Sequence, residues 1–395
     1  MSDGETIPYN LFMNFWYDPK KRAILFQIVI LAMTAIFVGT LFYNTQENLE
    51  SQNIATGFGF LKQEAGFGIS ETMIDYRSSD TYWRALKVGF LNTLKVGMIG
   101  NFLALALGII VGIMRLSPNW MLSKISQNFI EVVRNIPLLL QLLFWYSLFT
   151  EVLPQVKEAL NPFYGVFISQ RGVNYPILLD HSIWPWVKAS FVFGIIFFFF
   201  ISRRIRLKRE QTGQLIKRWP YALVLIVLLP LAVWLIGGAP WSWQFPTLGR
   251  FNFEGGAEVT PEFLALMVGL IIYTAAFNAE IVRAGILSVS KGQWEAASSL
   301  GLNYFQSLRF IILPQSFRVA IPPLTSQILN LIKNSSLAVA IGFPDFVAVA
   351  NTTMNQTGQA IEGVLLIMMV YLFFSLLSSL FMNLYHKRIS LQSHS

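Results

Sequence analysis

Residues Lys291–Pro314 read KGQWEAASSLGLNYFQSLRFIILP. The stretch is a moderately polar island between long apolar runs. Hydrocarbon cannot satisfy its polar groups, each of which would cost several kcal/mol there. It is therefore expected to be a short structured element facing water. Gly292 and Gln293 open a segment suited to a helix that ends at Leu300. Ala296 and Ala297 leave little bulk and allow close approach, whereas Trp294 and Leu300 are apolar anchors. Glu295 can pair with a basic residue of a partner or cap nearby amides. Gly301 permits a positive φ, which ends a helix and turns the chain. Ile311 and Leu313 lead to Pro314, expected to mark the turn into the next apolar run. An ordinary interfacial amphipathic helix between two spans would share several of these features.

The rest of the chain reads as membrane protein. Its 395 residues are 54% apolar and 13% charged, and a soluble domain carries about twice that charge fraction. Several apolar runs reach the roughly 20 residues that cross about 30 Å of hydrocarbon. Eight candidate spans follow: 23–43, 86–114, 128–149, 183–201, 219–236, 261–287, 319–343 and 361–383. The third and seventh carry polar residues. No cysteine is present, which excludes disulfides and thiolate metal sites. His181, His386 and His394 are too scattered to suggest a metal centre. No G-x-x-x-x-G-K-[ST] phosphate loop occurs, so the chain is expected to bind no nucleotide itself.

Charge placement gives an orientation. With the N-terminus inside, cytoplasmic pieces collect about 18 of the 29 basic residues. The richest is Arg203, Arg204, Arg206, Lys208, Arg209, Lys217 and Arg218, read as a topology anchor with an anionic-lipid site as the alternative. This concentration at one membrane face argues against nucleic acid as the reason for the net charge of +8. No cleavable signal peptide is evident, and both termini are expected in the cytoplasm. The same topology puts Lys291–Pro314 inside, independently of any motif. Stretches 44–85 and 151–182 fall outside, as does 237–260, which reads as an ordered loop or short hairpin.

The island resembles the cytoplasmic coupling loop of ABC-importer permeases: EAA, three residues, G, nine residues, I-x-LP. Glu295, Ala296, Ala297, Gly301, Ile311, Leu313 and Pro314 stand at the matching positions. KVGFLNTLKVGMIGNFLALALGIIVGIMR (87–115), IEVVRNIPLLLQLLFW (130–145) and FNAEIVRAG (277–285) are similar to the polar and general L-amino-acid group of that family. The resemblance implies a type I importer permease fold, all-α and integral to the bacterial inner (plasma) membrane. It has a five-helix core, here spans two, three, six, seven and eight, and a cytoplasmic coupling helix. The organisation expected is 1–85 as N-terminus, extra first span and outer loop; 86–150 as core; 151–260 as insertion; and 261–395 as core, with the coupling loop at 288–314. The resemblance also implies two ATP-binding subunits carrying ATP and magnesium, a substrate-binding protein and a second permease. The enlarged chain resembles members that pair with a non-identical permease. The cargo implied is a polar or general L-amino acid, such as glutamate, glutamine, aspartate, asparagine or histidine.

Ionisable and amide groups inside spans are costly and point to function or packing. Glu131 with Arg134, and Glu280 with Arg283, stand three apart and can pair on a helix face. Gln327, Asn330 and Asn334, with Lys333, Ser335 and Ser336, form the most polar part of span seven and are candidates for a substrate path. Gln141 and Glu280 are further candidates. Lys95 also falls within a span, and Asp345 reads as an outer helix cap. An ion- or proton-coupled secondary transporter is the rival reading, with Lys333 and Glu280 as relays. A membrane enzyme is disfavoured, because no catalytic cluster is evident.

Overall fold

A helix satisfies its backbone groups within the segment, so apolar runs in lipid take that form. The computed structural model describes residues 19–51, 56–213 and 216–390. The expected cytoplasmic ends, 1–18 and 391–395, lie outside the described residues. In chain order the helices are α1 Pro19–Ser51, α2 Tyr82–Arg115, α3 Trp120–Asn135, α4 Leu138–Ser147, α5 Trp184–Thr212, α6 Trp219–Ala222 and α7 Leu229–Ile236. They continue as α8 Pro261–Leu287, α9 Lys291–Ser299, α10 Tyr304–Ser307, α11 Leu313–Asn334, α12 Phe346–Thr357 and α13 Ala360–Ser390. Among the described residues six helices are long and apolar enough to span, or eight if each of two bent pairs counts once.

The first of those bent pairs corrects the expected span three. The third is not one rod: α3 and the segment from Leu138 to Val152 meet at 101°. The cause is Pro137, which cannot continue a helix and holds Ile136 extended at φ −99°, ψ 126°. Span seven is helical from Tyr304 to Ile341 and so begins earlier than expected. Pro314 does not turn the chain. It sits in the first turn of α11, behind a π turn at Leu308–Ile312, where its missing N–H costs little.

The chain divides into two units, residues up to 95 with those from 344 on, and 96–343. In the first, the segment from Phe58 folds onto helices. Phe60, Ala65, Tyr82, Ala85, Leu86, Phe346, Val349 and Ala350 form its core. Asn92 donates to the carbonyls of Glu71 (2.8 Å) and Pro344 (2.9 Å), and Lys95 pairs with Glu71. Asp345 caps α12, accepting from Ala348 N at 2.8 Å, as its position suggested.

The second unit is centred on α8, which packs against α11, α4 and α3. The C-terminal half of α2 closes on α8 through Gly108 and Gly112. A Cβ at Gly108 would lie 2.5 Å from Asn278 Cβ, and one at Gly112 2.7 Å from the Ala279 carbonyl oxygen. The GIIVG spacing thus brings two backbones together inside one subunit.

Short strands join the two loops that flank the insertion. β1 Leu160–Phe163, β2 Val166–Ser169, β3 Gly172–Tyr175 and β8 Ala257–Val259 form an antiparallel sheet in that order. β4 Ile177–Leu178 pairs with β5 Trp243–Gln244, and β6 Thr247–Leu248 with β7 Phe253–Glu254. The hairpin expected in 237–260 is therefore present. Val173 opposite Val259 and Leu178 opposite Trp243 show that both loops lie on one membrane face, as two crossings by the inserted helices require.

Candidate functional site

The island folds as a helix pair, α9 and α10, and the local signals that shape it are in the sequence. α9 starts after Ser290, held extended at φ −61°, ψ 145°. It ends in a complete C-cap: Leu302 N donates to Ala297 O (3.2 Å) and Gly301 N to Ser298 O (2.9 Å). Gly301 supplies the left-handed residue at φ +73° that this cap needs. The next helix begins at once with a capping box. Asn303 Oδ1 accepts from Gln306 N at 2.9 Å, and Gln306 Oε1 accepts from Asn303 N at 3.0 Å. Stop and restart are thus each fixed by two hydrogen bonds, and the corner between the helices is stiff.

One face of this corner is anchored. Ala297 is fully buried, and Ile312 beside Ile311 and Leu313 packs with Val282, Ile286 and Leu308. Trp294 joins that cluster and stacks on Tyr304, ring centroids 5.5 Å apart and 19° from parallel. Gln315 Nε2 donates to Gln293 Oε1 at 3.0 Å, tying the start of α9 to the first turn of α11. Displacement of α9 therefore pulls on the helix that carries the span-seven polar residues. The other face is open. Gly292, Glu295, Ala296 and Pro314 are exposed, and Leu300 (76%) and Phe305 (73%) are apolar side chains left largely bare. Apolar groups this exposed beside an acidic one suit a recessed partner surface.

Asn303, Gln306, Tyr304 and Gln315 were not among the sequence candidates. The N-x-x-Q spacing of the capping box was the available signal for the first two. Asn303→Ala is expected to cost about 1 kcal/mol of α10 stability. Hydrogen exchange at the amides of Phe305 and Gln306 should then rise about fivefold.

The expected path residues fall in three groups. On α11, Asn330 and Lys333 are exposed, with Gln327 and Asn334 partly so. Together with Ser326 they make a polar face on a span, bordered by Pro322 and Pro323 inside the helix. Ser335 and Ser336 instead spend their hydroxyls on their own helix, donating to Ile332 O (2.8 Å) and Lys333 O (2.7 Å). Gln141 is buried at the break in span three, donating to Val133 O (2.9 Å) and Ile136 O (3.0 Å). It satisfies carbonyls that Pro137 leaves without helical partners. Glu280 accepts from Arg283 Nε at 3.0 and 3.1 Å, the pair expected from their spacing. The other expected pair does not form. Glu131 accepts from Gln127 (2.7 Å), and Arg134, in the last turn of α3, reaches over the ring of Phe277 on α8, 5.0 Å from its centre. No group of three or more metal-ligating side chains occurs among the described residues.

Comparison with known proteins assigns this architecture. Residues 219–391 match the family model described as the binding-protein-dependent transport system inner membrane component. The chain is 45% identical to the general L-amino acid transport system permease protein AapQ of Rhizobium johnstonii, over 96% of this chain and 95% of that protein. It is 48% identical to the putative amino-acid ABC transporter permease protein YhdX of Escherichia coli, over 95% of each. Identity to the glutamate/glutamine/aspartate/asparagine transport system permease protein BztB of Rhodobacter capsulatus is 38%, again over 95% of each. Similarity of this extent sets aside the secondary-transporter reading. The chain belongs to the binding-protein-dependent transport system inner membrane components, the multi-pass permease subunits of ATP-driven ABC importers.

Proposed function

We propose that this permease carries polar or general L-amino acids by alternating access, driven through α9 by separate ATP-binding subunits. The observation that carries the reading is the corner at Gly301–Asn303: rigid, anchored to α11 on one side and bare on the other. In this account two ATP-binding subunits hold ATP and magnesium and receive Glu295, Leu300 and the neighbouring exposed residues in a surface groove. Their closure moves α9, and Gln293–Gln315 with the Ile311–Leu313 cluster passes the movement to α11. The island and both termini face the cytoplasm, and a substrate-binding protein docks on the opposite face.

The polar face of α11 supports a second permease beside this one, taken as non-identical from the enlarged chain. A row of Ser326, Asn330 and Lys333 on a span is costly against lipid. It is accommodated by a neighbouring protein or a water-lined path. An amino acid offers a carboxylate and an ammonium. Lys333 and Asn330 suit the first as donors, and the side-chain carbonyl of Gln327 suits the second. The cargo class is the one in the names of the relatives, AapQ and BztB.

The test is co-purification with candidate ATP-binding and permease subunits, followed by ATP hydrolysis in proteoliposomes with the binding protein and single amino acids. Stimulation by a subset of polar amino acids is expected. An assembled complex whose hydrolysis responds to sugars or peptides and to no amino acid would remove the cargo assignment.

A further inference from the structure

The inserted helices α5 and α7, which the coupling account leaves without a role, enclose a groove of their own. At Gly194 α5 touches the π turn Leu223–Leu228 that leads into α7, where a Cβ would run into the Leu225 carbonyl oxygen. They meet again at the strand end, where a Cβ at Gly237 would run into the Ile183 side chain, and the groove lies between the two contacts. The walls are Val187 and Phe191 on one side and Ile226, Pro230, Leu231 and Trp234 on the other. Two hollows of about 610 and 420 Å³ share Leu178, Trp184, Val187 and Pro230 and so form one groove. Its outer end is held in shape. Leu179 N donates to Ser242 O at 2.9 Å, Trp184 Nε1 to Leu179 O at 3.0 Å, and Trp234 Nε1 to Pro240 O at 3.2 Å. Trp241, edge-on to Trp234 at 6.0 Å, completes the wall. The lining is apolar except for Asp180 and Lys188, both exposed, which line the larger hollow near the strands.

Depth and charge identify the occupant. At 1.5 Å per residue, Trp184 to Gly194 spans about 15 Å of helix axis, half of the roughly 30 Å hydrocarbon core. The groove therefore runs through one leaflet, the one opposite the basic run Arg203–Arg218, with tryptophans at its interfacial end. A helix of a partner protein would cross the whole core and would have no use for a cation and an anion together at the mouth.

We propose that this groove binds one phospholipid of that leaflet, an acyl chain between α5 and α7 and a zwitterionic headgroup at the mouth. Lys188 Nζ takes the phosphate, and the Asp180 carboxylate accepts from a primary ammonium. A phosphoglycerol head presents only the anion and leaves Asp180 opposed to like charge. A choline head has no N–H to donate. Such binding would depend neither on the cargo nor on ATP coupling.

The assembled transporter, stripped of lipid in detergent, is offered phosphatidylethanolamine, phosphatidylglycerol and phosphatidylcholine in equal amounts, and retained lipid is read by native mass spectrometry. Phosphatidylethanolamine should exceed each of the others by about fivefold or more, the loss of one charge-assisted contact being worth up to about tenfold. Val187→Trp, which fills the groove, should abolish that excess. Asp180→Asn, at an exposed position that leaves packing intact, should bring phosphatidylethanolamine down to the level of phosphatidylcholine. Lys188→Glu should lower all three, while Lys157→Glu in the outer loop should change nothing. Equal retention of the three lipids by the unaltered protein overturns the proposal. So does an excess that survives both Val187→Trp and Asp180→Asn, which would place the lipid elsewhere.

Discussion

Gly301→Val is expected to reduce amino-acid uptake by more than about tenfold while the protein accumulates normally in the membrane. The left-handed conformation costs an ordinary L residue about 1–2 kcal/mol, and a β-branched one is a poorer fit still. With φ +73° withdrawn, the bonds from Leu302 to Ala297 and from Gly301 to Ser298 cannot both form. The corner between α9 and α10 then opens, and α9 presents itself at the wrong angle. No clash complicates the result, because a Cβ at Gly301 meets nothing within 4 Å. Gly301→Asn separates backbone conformation from side-chain volume, since asparagine tolerates the left-handed region. It should retain most of the uptake. The checking measurement is transport in parallel with ATP hydrolysis by the assembled complex. Gly301→Val should leave basal hydrolysis but remove its response to binding protein. Equal uptake by the valine and wild-type proteins would show that the corner transmits nothing.

Gly112→Leu should destabilise the protein strongly. Even the first carbon of a side chain would lie 2.7 Å from the Ala279 carbonyl oxygen and 3.0 Å from Val282 Cβ. Neither is the far end of a flexible chain, so α2 must move off α8. Overpacking of this kind costs about 3 kcal/mol, and more where two backbones are in contact. The melting temperature of the purified subunit in detergent should fall by about 5 °C or more. Gly39→Leu, in α1 where nothing lies within 4 Å, is the matched control and should leave it unchanged. Equal melting of the two variants would contradict the packing described for α2 and α8.

What the sequence made legible follows from which interactions are local. Long apolar runs reveal helices because burial in lipid leaves no alternative, and the basic residues beside them orient the chain. The EAA-to-Pro314 island was legible because a water-facing break in such a chain needs caps, and Gly301 is one. The bend in span three was harder to see. That span carried polar residues, and it is where Pro137 interrupts the helix. Contacts between distant segments were not readable. The pairing of β3 with β8, the close approach at Gly108 and Gly112, and the turn of Arg134 towards Phe277 each depend on a neighbour hundreds or tens of positions away. Gln141 shows the same limit: a polar residue in a span suggested cargo, and the structure gives it two carbonyls exposed by a proline.

Coupling requires that α9 meet the ATP-binding subunit. The chain has no cysteine, so a benzophenone maleimide placed on Glu295→Cys labels one position alone. Tyr164→Cys, exposed on the β1–β2 turn of the opposite face, provides the comparison. On irradiation of the assembled transporter, Glu295→Cys should cross-link to the ATP-binding subunit, with a yield that changes on adding ATP, and Tyr164→Cys should not. Cross-linking from Tyr164→Cys alone, or from neither position in an intact complex, would contradict the account.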